Sequence, residues 1–294
     1  MQLAYSSNAF TRTDLNSALR AISALGYSGV EILCDHPHWF PGRVNVHEVR
    51  EVSALLDHLG LSVSNLNANT ANGYFDPVPA ENLFEPSLSS ANREFREWRV
   101  NYSIATIELA QQLGAKCISV TSGHPGSGGT PEQGMAYFVE SLKRICDAAT
   151  KHQVQVGIEY EPGLLVERAT ELAEVFHRVD SPLLGANLDI GHSWLDGESP
   201  EQALDLLRGR IWNVHVEDIR GRKHYHLIPG EGELPFERYF KLLREQAYDN
   251  FLTVELYTCV AHPVAAGRAA LAHLQSVFDR LDYHTERQGP RDEG

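Results

Sequence analysis

Four apolar runs in the second half of the chain each carry, at or near their ends, a side chain able to bind a cation. Glu159 ends Gly157-Ile158-Glu159, Asp189 ends Asn187-Leu188-Asp189, His215 lies in Asn213-Val214-His215-Val216, and Glu255 lies in Thr253-Val254-Glu255-Leu256. The intervals between them match one strand plus one helix, the ~25–40 residues by which a (β/α)8 barrel of ~250 residues repeats. Residues at the C-terminal ends of consecutive barrel strands neighbour one another along one arc of the rim. Three carboxylates and one imidazole converging there form a hard, oxygen-dominated donor set with three negative charges. Mn²⁺ is the expected occupant, Mg²⁺ and Co²⁺ also suit it, and Zn²⁺ is compatible. Any one of these residues alone reads more simply as a helix cap or a rim ion pair. Four at equivalent strand ends make a divalent-cation site the stronger reading.

Bringing these groups together requires a closed, alternating fold, and the hydrophobic pattern supplies one. Short β-like runs begin near Leu3, Gly29, Leu61, Lys116, Val154, Leu184, Ile211 and Phe251. Between them, apolar residues recur at helical spacing, as in Leu15, Ala18, Leu19, Ile22 and Leu25, or Val49, Val52, Leu55, Leu56 and Leu59, with Gly26 and Gly60 as stops. The β-like runs are nearly continuous in apolar residues, as parallel strands covered on both faces are. An open doubly wound sheet would want a glycine-rich phosphate turn after its first strand, and Tyr5-Ser6-Ser7-Asn8 is not one. The expected fold class is therefore α/β, a single (β/α)8 TIM barrel over residues 1–281. Residues at about 68–92 lack periodicity and are rich in Asn, Pro and Ser, which reads as a loop insertion over the barrel mouth. Residues 282–294 read as a polar, frayed C-terminal tail.

Across 294 residues the formal net charge is −14, with 43% hydrophobic and 22% charged residues. These are globular values, and the acidic balance disfavours nucleic acid as a partner. Cys34, Cys117, Cys146 and Cys259 are scattered without CxxC spacing, which reads as buried reduced thiols in a cytosolic protein. The first residues lack a signal-peptide pattern, and no apolar run approaches the ~20 residues of a membrane span. A soluble, cytoplasmic protein without a membrane partner is expected, with homo-oligomerisation left open.

On these residues the chain resembles the sugar phosphate isomerase/epimerase branch of the xylose-isomerase-like TIM barrels, related to ketose 3-epimerases and endonuclease IV. The resemblance runs from Gly26-Tyr27-Ser28-Gly29-Val30-Glu31 to the last helix. Its most specific parts are Glu159-x-x-Pro162, Asp189-x-x-His192, His215-x-x-Asp218, Gly230-Glu231-Gly232 and Val254-Glu255-Leu256. It implies one divalent metal held by Glu159, Asp189, His215 and Glu255, and a small sugar or keto-polyol as substrate. It also implies a mechanism in which the metal polarises a ketone, Glu159 and Glu255 act as the acid/base pair, and the proton is moved through a metal-stabilised enediolate. An isomerase or epimerase is the activity expected; a metal-dependent lyase or dehydratase shares the proton-abstraction half.

Further residues carry a rival reading. His124, His192 and His226 resemble metal-ligand positions of endonuclease IV, and His224 stands where that enzyme has an aspartate. They would hold a second or third metal in a multinuclear phosphodiesterase, or contact substrate in a mononuclear enzyme. Asn65 and Asn67 stand where an early histidine ligand is expected, and the basic footprint of a DNA enzyme is missing, so the mononuclear reading is preferred. Glu161 points to the same side as Glu159 and reads either as a substrate contact or as an anchor of its turn. Asp218 is a further candidate. Arg220, with Arg222 and Lys223, would suit a phosphate or carboxylate, although a solvated loop face is the simpler reading. Trp39, Phe40, Tyr160 and Trp194 are placed on mouth loops, where they would suit the C–H faces of a sugar.

Overall fold

Eight short parallel strands close into a cylinder in the computed structural model of the protein, which describes residues 1–287 and side chains through Tyr283. They are β1 (Gln2–Ser6), β2 (Gly29–Leu33), β3 (Ser62–Asn67), β4 (Cys117–Val120), β5 (Gln155–Ile158), β6 (Leu184–Asp189), β7 (Ile211–Val216) and β8 (Phe251–Val254). Their spatial order is their chain order, and β8 pairs back onto β1 from Gln2–Phe251 to Tyr5–Val254. Around them lie α1 (Leu15–Leu25), α2 (Val46–Leu59), α3 (Arg93–Leu113), α4 (Pro131–His152), α5 (Ala169–Val179), α6 (Ile190–Leu195), α7 (Pro200–Leu206), α8 (Phe236–Glu245) and α9 (Pro263–Arg287). This is the expected (β/α)8 barrel. Among the described residues no helix is long and apolar enough to cross a membrane. All four cysteines are free and buried.

Local chemistry explains the boundaries. Asp14 accepts from the Ser17 N–H at the start of α1; Asn45 and Glu48 form a capping box on α2, and Ser199 and Gln202 form another on α7. Such caps are worth about 0.5–2 kcal/mol each. Gly26, Gly60 and Gly114 close α1, α2 and α3 in the left-handed conformation. β6 passes straight into α6 at Ile190, because Asp189 Oδ1 accepts the N–H groups of Gly191 and His192 at 2.8 and 2.9 Å and caps the helix. One boundary differs from expectation. At the other end α9 continues past Leu281 to Arg287, into the stretch read as a frayed tail; residues 288–294 lie outside the described residues.

The apolar core lies between the strands and the helices, whereas the lumen is polar. Thr253 Oγ1 donates to Asn213 Oδ1 at 2.9 Å, Asn213 Nδ2 to Asn187 Oδ1 at 2.8 Å, and Asn65 Nδ2 to Ser119 Oγ at 2.9 Å. Residues 68–92 join β3 to α3, with one short turn at Asn72–Tyr74. The buried Arg99 guanidinium on α3 grips the start of this connection through the Ala68 and Asn69 carbonyls. Asp35, after β2, accepts from the Thr70 hydroxyl and from the N–H groups of Asn72 and Gly73 at 2.6–2.8 Å.

Where β6 meets β7, Gly185 leaves no room for a side chain: a Cβ would lie 2.2 Å from Trp212 Nε1 and 2.4 Å from the Arg210 carbonyl oxygen. Gly185→Ala is expected to destabilise the fold by about 1–3 kcal/mol through overpacking. Urea unfolding followed by circular dichroism checks it; a midpoint equal to the parent's contradicts this packing.

Candidate functional site

At the C-terminal end of the barrel, Glu159, Asp189, His215 and Glu255 each direct one ligand-type atom into a common space, all within 4.8 Å of one another and all buried. Glu159 Oε2 lies 3.0 Å from His215 Nδ1, and Glu255 Oε2 lies 3.5 Å from the same nitrogen. Asp189 offers Oδ2, buried and without a hydrogen-bond partner, because its helix-capping role uses only Oδ1. An orphaned carboxylate oxygen facing two other carboxylates and an imidazole is the donor chemistry a divalent cation satisfies. The four residues fit such an ion.

A second layer holds the four in place. Glu31, fully buried on β2, sits 2.6 Å from His215 Nε2 and accepts from Ser6 Oγ, Asn65 Nδ2 and Asn67 Nδ2 at 2.7–3.0 Å. This fixes the ring so that Nδ1 faces the cluster, the arrangement in which an outer carboxylate orients a ligating imidazole. Burial opposes charge on His215, but the carboxylates of Glu255, Glu31 and Glu159 outweigh it and hold the ring's pKa well above the ordinary histidine value. Each flanking carboxylate is anchored by amides. Glu159 Oε2 accepts from Asn69 Nδ2 at 2.8 Å and from Asn187 Nδ2; Glu255 Oε1 accepts from Asn8 Nδ2 at 2.8 Å and Asn67 Nδ2 at 3.3 Å. Glu217 lies behind Asp189. Burial, and then the Asp189 carboxylate, push its pKa well up.

Beside this cluster stands a trio of imidazoles. His192 Nε2 and His226 Nε2 lie 2.9 and 3.1 Å from His224 Nε2. The Nδ1 atoms of His192 and His226 face the backbone oxygens of Tyr160 and Glu255 at 3.2 and 2.9 Å, which turns Nε2 of both rings toward the trio. Burial lowers His226 to about 3, and burial with the neighbouring His192 lowers His224 to about 4, so both are neutral at physiological pH. Neutral imidazole is the metal-ligating form.

A cavity of about 640 Å³ opens above these groups, lined by Glu159, Glu161, His192, His224, His226 and Glu255, and covered by residues 78–82 and Phe84 of the long β3–α3 connection. Glu161 thus faces the cavity, with burial raising its pKa to about 7. Other sequence candidates lie elsewhere. His124 is exposed, its ring set edge-on against Phe84 and its Nδ1 3.5 Å from the Gly163 oxygen, and it joins none of these groups. Asp218 spends its carboxylate on the N–H groups of Ile219, Gly230, Gly232 and Leu234 at 2.8–3.0 Å, and Arg220 donates to the Glu231 carbonyl. Tyr160 is buried with its hydroxyl on Glu198, and Phe40 packs on Trp98 and Tyr102 rather than lining the cavity. Glu31, Glu217 and the amides of Asn8, Asn69 and Asn187 were missed as site residues. The available signal was Glu31 itself, a lone charge inside the apolar run Gly29–Leu33.

Comparison with known proteins places this geometry in a context. The family model of xylose isomerase-like TIM barrels matches residues 19–277. Fructoselysine 3-epimerase of Shigella flexneri is 23% identical, over 91% of this chain and 94% of its own length. Among solved structures, a D-tagatose 3-epimerase-like protein superposes with a TM-score of 0.81 at 21% identity, covering 97% of this chain and all of that one. The IolI protein, solved with a bound zinc atom, gives 0.78 at 17% identity, over 96% of this chain and 99% of its own.

Removing the outer carboxylate of the Glu31–His215 pair should loosen the cation site without emptying it. Glu31→Gln is expected to weaken Mn²⁺ affinity by roughly 10–100-fold. Competitive titration with a fluorescent chelator measures this; unchanged affinity would show that Glu31 does not support His215 as a ligand.

Proposed function

The chain belongs to the xylose isomerase-like TIM barrel family, and on that premise we propose that it is a divalent-metal-dependent isomerase or epimerase acting on a sugar or keto-polyol. Glu159, Asp189, His215 and Glu255 would hold the metal, for which the hard donor set favours Mn²⁺. When bound, such an ion supplies Lewis-acid polarisation of a carbonyl.

The observation that carries this reading is the placement of two carboxylates, Glu159 after β5 and Glu255 after β8, both lining one cavity and each with one oxygen fixed by amides. Their strands are three apart in the ring, so a substrate between them is approached from two directions. One carboxylate takes the proton from the carbon next to the carbonyl; the other returns it on the opposite face, or the first returns it at the neighbouring carbon. The amide anchors keep both groups oriented, which is the positioning that proton transfer requires. Glu161, His192 and His226 line the same cavity and would contact substrate hydroxyls.

A second reading rests on the imidazole trio. Three Nε2 atoms converge where no hydrogen-bonding pattern of neutral rings satisfies them all, and a second cation would. Two or three metals per chain by elemental analysis support a multinuclear phosphodiesterase; one supports the isomerase.

Incubation of the metal-loaded protein with keto-sugars in D₂O should place deuterium on the carbon adjacent to the carbonyl. Glu159→Gln and Glu255→Gln are each expected to slow exchange by about 10²–10⁴-fold, the usual worth of a general acid or base, with the fold retained. Exchange by either variant at the parent rate would remove that residue from the proposed pair.

A further inference from the structure

Tyr160 stands in sequence between two residues of the site, Glu159 and Glu161, yet it is fully buried and does not line the cavity. β5 pairs with β4 as far as Ile158, and the Glu159 N–H makes the last bond of that ladder, to the Val120 carbonyl at 2.9 Å. Past that point the chain leaves the sheet, and the Tyr160 side chain anchors it to the next unit of the barrel. Its hydroxyl donates to Glu198 Oε2 at 3.1 Å. The same oxygen accepts from the Ser193 hydroxyl at 3.0 Å, while Oε1 accepts from the N–H of Ala169, the first residue of α5, at 2.8 Å. The Glu198 N–H in turn donates to the Ser193 carbonyl at 3.0 Å. One carboxylate thus joins the end of β5, the start of α5 and the middle of α6.

Both hydroxyl partners adjoin groups of the site. The Tyr160 carbonyl oxygen faces His192 Nδ1 at 3.2 Å, and Ser193 follows His192 on α6. Tyr160 and Ser193 are fully buried, so each hydroxyl needs a protein partner, and a carboxylate is the strongest acceptor available to it. Glu198 itself neither lines the cavity nor joins any group of described residues able to hold a cation. It acts only through others. On the isomerase reading proposed above, we infer that Glu198 is a positioning residue, which sets the Glu159–Tyr160–Glu161 segment against His192. The amides of Asn69 and Asn187 hold a Glu159 oxygen, whereas Glu198 holds the backbone from which Glu159 projects. It thereby fixes the direction from which Glu159 meets both the cation and the reacting carbon.

Two measurements on the full-length protein test this: Mn²⁺ affinity by competition with a fluorescent chelator, and deuterium exchange into D-fructose at saturating Mn²⁺. Glu198→Ala should weaken Mn²⁺ binding about 3–10-fold and lower kcat for exchange about 10–100-fold, with KM within about 3-fold of the parent's. Glu198→Gln keeps a carbonyl oxygen for the two hydroxyls and should recover most of both losses. Tyr160→Phe removes one hydroxyl alone and should lower kcat at least about 5-fold; it decides the matter if Glu198→Ala does not fold. Combining the two changes should cost no more than about 2-fold beyond Glu198→Ala, because groups acting as one unit are not additive. A contact that only stabilised the fold would lower the urea midpoint and the fraction of chain taking up Mn²⁺, with affinity and kcat per bound metal at parent values. That result, parental kcat in Tyr160→Phe, or a change confined to KM overturns the inference. If the parent exchanges no deuterium into D-fructose, the isomerase reading fails for that probe and the Mn²⁺ affinities decide alone. Weaker binding in Glu198→Ala with recovery in Glu198→Gln then upholds the positioning role, and equal affinities overturn it.

Discussion

Burying carboxylates together is the constraint on which the rest of this structure depends. An ion removed from water costs several kcal/mol even after relaxation unless its partners restore the loss. The barrel lumen holds Glu31, Glu159, Asp189, Glu217 and Glu255 within a few residues of its rim, all of them buried. Four are relieved by neighbours: Glu31 by His215 and two asparagines, Glu159 and Glu255 by paired amides, and Asp189 by the first turn of α6; burial and the Asp189 carboxylate instead push the Glu217 pKa well up. What remains is the inward side of Glu159, Asp189, His215 and Glu255, where a cation would complete the balance. The charge of the donor set and the polarity of the lumen are thus two sides of one requirement.

That requirement explains why the strands were only partly legible as apolar runs. The residues facing the helices are Val, Ile and Leu, which preserves the near-continuous apolar signal in β2 or β4. In β3, however, Ser64, Asn65 and Asn67 are buried, and in β7 Asn213 and His215 are. A barrel centre is usually filled by branched apolar layers. Here hydrogen-bonded amides and hydroxyls replace them beneath the site, because the carboxylates above need donors. Asn65 and Asn67, which looked like the loss of a metal-binding histidine, are instead the amides that hold Glu31 and Glu255.

The four residues expected as ligands were readable because strand ends in a barrel converge irrespective of detail. Side chains further along the loops were not, since their direction depends on how each loop is tied down. His124 sits in a His-Pro-Gly context, yet its loop carries it outward against Phe84. Glu217 escaped notice because His215 and Asp218 beside it looked more like site residues. Its alternation with His215 already placed it on the lumen face. Gly191 offered a second clue: a Cβ there would collide with the Glu217 carboxylate at 1.7 Å.

Asp218 shows how a residue can carry the signature of a site and serve as its scaffold. Its backbone pairs with Leu227 in both directions, at 2.8 and 2.9 Å, next to His226. Its carboxylate gathers the N–H groups of the following glycine turn, and Gly232 must lack a side chain because a Cβ would lie 2.3 Å from Asp218 Oδ1. With that turn closed, the strand-like segment through Leu227 is held against β7. His226 then reaches the Glu255 carbonyl through Nδ1 and presents Nε2 to His224. The Gly230-Glu231-Gly232 motif therefore acts on the site at one remove: it satisfies a buried carboxylate, the carboxylate fixes a loop, and the loop delivers an imidazole. The same closure uses up the backbone donors of the glycine turn on Asp218 itself.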